Sequence, residues 1–359
     1  HNKRNLRLTS AANLEKWRRG ASSCRSGVAR SAHIKVTLIH NPSAGDPSAP
    51  TGKQIIELIR AAGHKVNYQS SKEKKWKKAL KKSCDIVAVA GGDGTVGKVA
   101  KQLVGSRTPV AVLPTGTANN IAKTLGLTGR DLPDLISGWK SGRCVNFDTG
   151  LASGPWGSDC FVEGFGLGLF AEAMLQLDGK DNGDLADSGR PAHVIDSVLS
   201  ILKKKVQHVE PREISVRLDG KDLSGDYIML ETLNTRYIGP NLNLVPQADP
   251  GDGFFDVVLV TRRERPKLNG YLSDLLKRKK ARPDLKFRRG KHLQIEWESS
   301  PVHIDDTPWP SEKDEPAVKL NAIDVKVEPG ALVFLTPDPA RRAPAANRAR
   351  LKRSASRRR

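Results

Sequence analysis

Three glycines around one carboxylate, Gly91-Gly92-Asp93-Gly94-Thr95, are the residues of this chain best suited to chemistry. Glycine lets a backbone approach a ligand closely, and a helix starting just beyond offers unpaired N–H groups and the positive end of its dipole. That combination suits a phosphate. A carboxylate beside a phosphate repels it unless a cation lies between them, and Mg2+ favours carboxylate and phosphate oxygens. The stretch therefore points to nucleotide–Mg2+ binding, set against the plainer alternative of a Gly-rich strand-to-helix turn. Two other segments have a similar polar, turn-rich make-up: His40-Asn41-Pro42-Ser43-Ala44-Gly45 and Pro114-Thr115-Gly116-Thr117-Ala118-Asn119-Asn120. No Gly-Lys-Ser/Thr ending of a P-loop occurs, and Gly164–Gly168 lacks the spacing of a dinucleotide fingerprint.

The elements around these segments place them together. Asp85–Ala90 is an apolar, β-branched run that reads as a buried strand, and Val96, Val99, Ala100 and Leu103 recur at helical spacing after it. Strands are predicted at Ile34–Ile39, Lys65–Gln69 and Pro109–Leu113. Helices are predicted at Gln54–Ala62, Ser71–Lys82 (very basic), from Asn120 to about Leu125, and at Leu132–Trp139. Such alternation gives a parallel sheet covered by helices, whose ligands sit at the carboxyl ends of the strands. Three polar loops (40–46, 91–95 and 114–120) leave those ends, and three on one edge make a site.

After about residue 145 the pattern changes. Strand-like runs follow one another, including Asp159–Phe165, Glu213–Leu218, Tyr227–Leu233 and Phe254–Thr261, with helices near Val194–Val206 and Leu268–Lys277. Alternation such as Ile214, Val216, Leu218 fits half-buried antiparallel strands, so a second domain is expected as a sandwich or distorted barrel. Residues 178–190 read as an exposed loop.

The 359 residues carry a net charge of +21, much of it at the two ends. Residues 1–35 hold nine Lys/Arg against one Glu, and residues 341–359 hold nine Lys/Arg and no acid. Segments 1–33 and 341–359 are expected to be basic, disordered tails, the first with a faint transit-peptide composition. An anionic membrane surface is the favoured partner, because scarce aromatics and the lack of a nucleic-acid module argue against nucleic acid. The four cysteines fit no zinc spacing and read as reduced thiols of a cytosolic protein. No apolar run is long enough for a transmembrane helix.

With these motifs in view, the chain resembles the diacylglycerol kinase catalytic family, in particular its bacterial soluble lipid kinases, relatives of sphingosine kinases and NAD kinases. The resemblance rests on Asn41–Gly45, Gly91–Thr95, Leu113–Asn120, Ile238-Gly239-Pro240 and Pro246–Asp256, and covers roughly residues 34–337. It implies an NAD-kinase-like parallel α/β domain (34–145) and an antiparallel β-sandwich domain (146–329). The active site is expected in the interdomain cleft, and a last strand within 330–340 returns to the first domain. It implies ATP-dependent phosphorylation of a lipid hydroxyl, diacylglycerol by default, with Mg2+, at the cytoplasmic membrane surface. Oligomeric state stays open, a homodimer included.

The same resemblance assigns nucleotide contacts to Asn41, Ser43, Gly45, Ser70, Gly91, Gly92, Gly94, Thr95, Gly116, Thr117 and Asn119, with Asp93 holding the catalytic Mg2+. Thr117 is equally an N-cap candidate. Asp249, Asp252 and the Phe254 carbonyl match a structural magnesium site. The family's base lies in an Asp-Gly-Glu motif, and here Asp305-Asp306-Thr307 stands in its place. Asp305 takes the base position. Asp306 replaces a glycine whose conformation an aspartate is expected to adopt poorly, and Thr307 removes a carboxylate. A catalytically impaired pseudokinase that binds nucleotide or lipid is therefore the alternative to an active kinase.

Overall fold

The computed structural model of the chain describes residues 33–45, 47–178, 191–297, 300–310 and 322–337. The basic tails, apart from His33, and the loop expected at 178–190, apart from its first residue, lie outside the described residues. The described chain divides into two compact units, residues 33–147 with 331–337, and residues 148–330. The backbone passes between them inside two strands, β5 (Arg143–Gly154) and β17 (Ala322–Thr336).

The first unit is built on strands β1 (Lys35–His40), β2 (Lys65–Ser70), β3 (Ile86–Gly91) and β4 (Val110–Pro114). With the end of β17 they pair in the order β17–β4–β3–β1–β2, every pairing parallel. β3 is buried over its whole length, as its apolar run requires of a central parallel strand. Helix Gly52–Ala61 starts on a Thr51–Gln54 capping box and buries Ile55, Leu58 and Ile59. Helix Asp93–Lys101 buries Val96, Val99 and Ala100. The helix expected over Ser71–Lys82 is shorter: only Trp76–Lys81 turns, as a 3-10 segment that buries Ala79 alone. A charged stretch with one buried residue has no apolar stripe to hold a longer α-helix down.

The second unit has two antiparallel arrays. In one, β9 (Val216–Leu218) pairs with β10 (Lys221–Asp222) and β14 (His292–Glu296), which pairs with the start of β17. β5 pairs there with β6 (Gly157–Phe161). The other sheet runs β13 (Phe287–Gly290), β12 (Phe255–Thr261), β11 (Gly225–Leu233), β7 (Gly164–Gly168), β15 (Val302–Ile304), β16 (Thr307–Trp309), with β8 (Arg212–Ile214) beside β11. Alternate residues of β12 serve two cores. Val257 joins Phe161, Phe165, Leu218 and Leu293 between the arrays, while Val258 and Val260 pack under helices Leu169–Asp178, Pro191–His208 and Arg265–Leu276. Two runs expected as single strands are broken. Asp159–Phe165 splits at Val162-Glu163, and Glu213–Leu218 splits at Ser215, where the chain leaves one sheet for the other. No helix among the described residues is long and apolar enough to cross a membrane.

Candidate active site

In the first unit the loops after β1, β3 and β4 interlock through glycine. Gly45 has φ +84°, and a Cβ on it would stand 2.1 Å from the Thr115 carbonyl oxygen. A Cβ on Gly116 would stand 2.2 Å from the Gly92 Cα. Both obstacles are backbone, so no side-chain rotation relieves them. The Asn41 side chain donates to Thr95 Oγ1 at 3.0 Å, and its own Oδ1 accepts from Ser43 N at 3.1 Å. Asn119 folds back, its Oδ1 accepting from Gly116 N at 3.0 Å and its Nδ2 donating to the Gly116 carbonyl at 2.6 Å. Ser70 ends β2 opposite His40 and accepts the Lys72 N–H at 3.3 Å. The expected residues Asn41, Ser43, Gly45, Gly91, Gly92, Gly94, Thr95, Gly116, Thr117 and Asn119 thus share one edge of the sheet, and Ser70 lies on the neighbouring strand end.

Asp93 opens helix Asp93–Lys101, and its Oδ1 accepts the Ile121 N–H at 2.9 Å. It therefore caps helix Asn120–Thr124, whose N-cap position belongs to Asn119 in the left-handed region (φ 54°). The N-cap role considered for Thr117 is not the one adopted. Burial pushes the Asp93 carboxyl up, against the N–H groups of Ile121 and Asn120 and the charge of Lys123. Burial likewise lowers Lys123, opposed by Asp93. One carboxylate beside backbone N–H groups suits Mg2+ that arrives bound to nucleotide phosphates.

In the second unit Asp305 and Asp306 form the two-residue turn of the β15–β16 hairpin, with Ile304 opposite Thr307. Asp305 carries the positive φ (53°), and Asp306 does not. The strain expected at Asp306 is thus absent, because the left-handed residue of this turn is the one before it. Asp305 Oδ1 accepts three backbone N–H groups, from Val162 (2.9 Å), Glu163 (2.7 Å) and Gly164 (3.3 Å), and the Val162 N–H also reaches Oδ2 at 3.2 Å. The turn is further held from below. His303 is fully buried, with Nδ1 3.0 Å from the Asp305 carbonyl oxygen and Nε2 2.9 Å from Glu231 Oε2. A carbonyl only accepts, so Nδ1 carries a proton. Burial opposes the imidazolium, but Glu231 and Asp305 together outweigh it and His303 titrates above its ordinary value. Gly166 leaves room for this pair, since a Cβ there would stand 2.3 Å from Glu231 Oε1.

The turn at Asp249–Phe254, where the resemblance expects a structural magnesium, packs against a guanidinium. The Arg289 guanidinium ion-pairs with Asp252, lies 3.7 Å from Asp256 Oδ1 and stacks 4.8 Å over the Phe254 ring. Asp249 Oδ1 accepts the Gly251 N–H at 3.1 Å, and Asp252 Oδ1 the Phe254 N–H at 3.0 Å. Asp148 spans the base of the turn, accepting Gly253 N at 2.7 Å and Gly330 N at 2.6 Å. Among the described residues no group of three His, Cys, Asp or Glu is placed to hold a metal ion. A guanidinium supplies the positive charge at this turn, and a magnesium ion held by Asp249, Asp252 and the Phe254 carbonyl stays an expectation of the resemblance.

Sequence reasoning passed over Glu231, Asp148, Lys123 and Arg289. Glu231 had a readable signal: it is a lone carboxylate in the apolar run Ile228–Leu233, where a buried charge demands a partner. Arg289 had none, because its partners lie 33 and 37 positions earlier.

Residues 35–152 match the diacylglycerol kinase catalytic domain, and residues 190–336 match the YegS C-terminal NAD kinase beta sandwich-like domain. The chain is 23% identical over 236 residues to the diacylglycerol kinase of Bacillus subtilis (strain 168), covering 64% of this chain and 74% of that protein. It is 24% identical over 255 residues to the diacylglycerol kinase of Mycobacterium tuberculosis (strain ATCC 25618 / H37Rv), covering 65% and 75%. A protein of Stenotrophomonas maltophilia (strain K279a), named "Probable lipid kinase YegS-like", is 30% identical over 222 residues, covering 55% and 62%. The crystal structure of a diacylglycerol kinase from Bacillus anthracis str. Sterne shares the fold, with a TM-score of 0.63 at 20% identity over 87% of this chain and 99% of that one. An α/β unit carrying the interlocked glycine loops, followed by an antiparallel sandwich matched in its own right, places this chain in the diacylglycerol kinase catalytic-domain family of lipid kinases.

Proposed function

We propose that the chain transfers the γ-phosphoryl group of Mg·ATP to a hydroxyl of a membrane lipid, giving a lipid phosphate and ADP. The observation that carries this reading is the interlock of the three loops at the strand ends. Gly45 against Thr115 and Gly92 against Gly116 bring bare backbone to one edge beside the start of helix Asp93–Lys101. Backbone N–H groups so exposed suit a polyphosphate. Asn41, Ser43, Ser70, Thr95, Thr117 and Asn119 supply polar contacts to the nucleotide, and Asp93 faces its Mg2+.

Phosphoryl transfer makes one bond, from the lipid oxygen to the γ-phosphorus, and breaks the bond from that phosphorus to the bridging oxygen of ADP. The hydroxyl proton needs an acceptor. Asp305 takes that part, through Oδ2, while Oδ1 is fixed by the Val162, Glu163 and Gly164 amides. The names of the Bacillus subtilis and Mycobacterium tuberculosis relatives make diacylglycerol the first acceptor to offer. The enzyme works at an anionic membrane surface, to which its positive charge draws it.

A second reading has one observation in its favour. The Asp305 carboxylate is already engaged by three backbone N–H groups, a structural task that equally suits a non-catalytic nucleotide- or lipid-binding protein. The two readings separate when the protein is incubated with ATP and a bacterial lipid extract. The kinase yields ADP and a new lipid phosphate by mass spectrometry. ATP bound but unconverted supports the second reading, and phosphate found on a water-soluble acceptor overturns the choice of substrate class.

A further inference from the structure

The sandwich core of the second unit is open at one end. Leu223, which follows β10, and Tyr227, Val257 and Leu259, on β11 and β12, line a cavity of about 410 Å³ there. It is continuous with the core, since Val257 is a buried member of it and the other three pack against it. Register explains the opening's shape. Tyr227 lies opposite Thr261 and Val257 opposite Arg288, so these four side chains share one face of the sheet. Tyr227 is pinned by its hydroxyl, which donates to the Leu223 carbonyl at 2.6 Å.

The rim has the opposite character. Arg263, Lys286 and Arg288 stand around the mouth, all exposed. Among the described residues none of the three makes an ion pair; Arg288 donates only to the carbonyl of Phe287, at 3.1 Å. The single carboxylate of the lining, Glu264, is spent on the Thr261 capping box, accepting from Thr261 N and Oγ1 at 3.1 Å each. An apolar chamber ringed by three uncommitted cations complements one kind of molecule: an anionic amphiphile with a hydrocarbon tail and a phosphate head.

We propose that this mouth binds an anionic membrane phospholipid, its acyl chain entering between Leu223, Tyr227 and Leu259 and its phosphate meeting Arg263, Lys286 and Arg288. Binding here needs neither ATP nor turnover, so it stands or falls separately from the kinase reading.

The test uses the full chain, without ATP, and vesicles of phosphatidylcholine with or without phosphatidic acid, a fraction of it bearing a photoactivatable acyl chain. Cross-links should concentrate in peptides containing Leu223–Tyr227 and Val257–Thr261, and only in vesicles with phosphatidic acid. The variant R263A/K286A/R288A should lose about 100-fold in vesicle affinity, and the charge-keeping variant R263K/R288K should keep it. Thermal unfolding of each variant shows whether it is folded; if the triple variant is not, K286E alone should weaken binding while its melting is unchanged. Three results overturn the proposal: cross-links elsewhere in the chain, cross-links that persist unchanged in the folded charge variants, or cross-links abolished by millimolar inorganic phosphate, which would mark a free-anion site.

Discussion

At the scale of single residues, the carboxylates of this protein differ in what holds them. Asp305 answers three backbone N–H groups at once. Its removal as Asp305→Ala orphans all three in a buried place, which should lower stability by about 3 kcal/mol or more. Asp305→Asn keeps an oxygen for the amides and should cost about 1 kcal/mol while abolishing transfer, as equilibrium unfolding and turnover together will show. Asp93→Asn likewise keeps the Ile121 cap but loses the charge, so the fold should survive and lipid phosphorylation should drop about 100-fold or more. Since burial raises Asp93, activity that needs its carboxylate should decline on acidification at a higher pH than an ordinary aspartate would give. Asp256 offers a cleaner titration. Burial, with the Asp252 charge beside it, moves it from 3.8 to about 6, against Arg289. A raised carboxyl contributes stability that is whole below 3.8 and lost as pH rises through about 6. Asp256→Asn should therefore remove a loss on the order of 2 kcal/mol between pH 4 and pH 8, read from denaturant melts at each pH. Asp93 stands out in the sequence as a candidate because its glycine neighbours are local. Its capping of a helix 28 positions away does not, for nothing near it in the chain records the partner.

At the scale of elements, the parallel sheet and the order of its loops could be read from the sequence, because strand, glycine turn and helix each leave a local pattern. What the pattern did not carry is how the loops touch. Gly45 and Gly116 read as turn residues, yet each is required by a neighbouring backbone within 2.2 Å of its missing Cβ. Gly116→Ala should drive the loops after β3 and β4 apart, weakening ATP binding about 10-fold or more and lowering the melting temperature, whereas Gly63→Ala, with open space around it but φ +81°, should lower stability by about 1 kcal/mol and spare ATP binding. Calorimetric titration with ATP separates the two. The sandwich was legible as strands but not as sheets. The break at Ser215 leaves no turn residue strong enough to announce a change of partner, and the split at Val162-Glu163 exists to present amides to Asp305. The basic stretch at Ser71–Lys82 has helical spacing but too little burial to sustain an α-helix.

At the scale of the whole molecule, the proposed work at a membrane draws on a net charge of +21, which should favour anionic surfaces. Association with anionic vesicles should weaken steeply as salt rises, because the screening length falls from about 10 Å at 0.1 M to about 3 Å at 1 M. Cosedimentation across that range checks it, and binding indifferent to salt would leave the hydrocarbon contact as the sole anchor. The two-unit plan could be anticipated from the change of pattern near residue 145. That the chain makes the passage inside continuous strands could not, since β5 carries no linker composition where it crosses and the Pro329-Gly330 pair at the crossing in β17 reads as a turn rather than as strand interior. The most direct measurement of the central claim is incubation of the full chain with terminally radiolabelled ATP, Mg2+ and mixed-lipid vesicles containing diacylglycerol, followed by partition between chloroform and water. The account predicts label in a chloroform-soluble lipid phosphate, absent for Asp93→Asn and for Asp305→Asn at unchanged fold. Label remaining in ATP for the wild-type protein, with ATP binding intact, would contradict it.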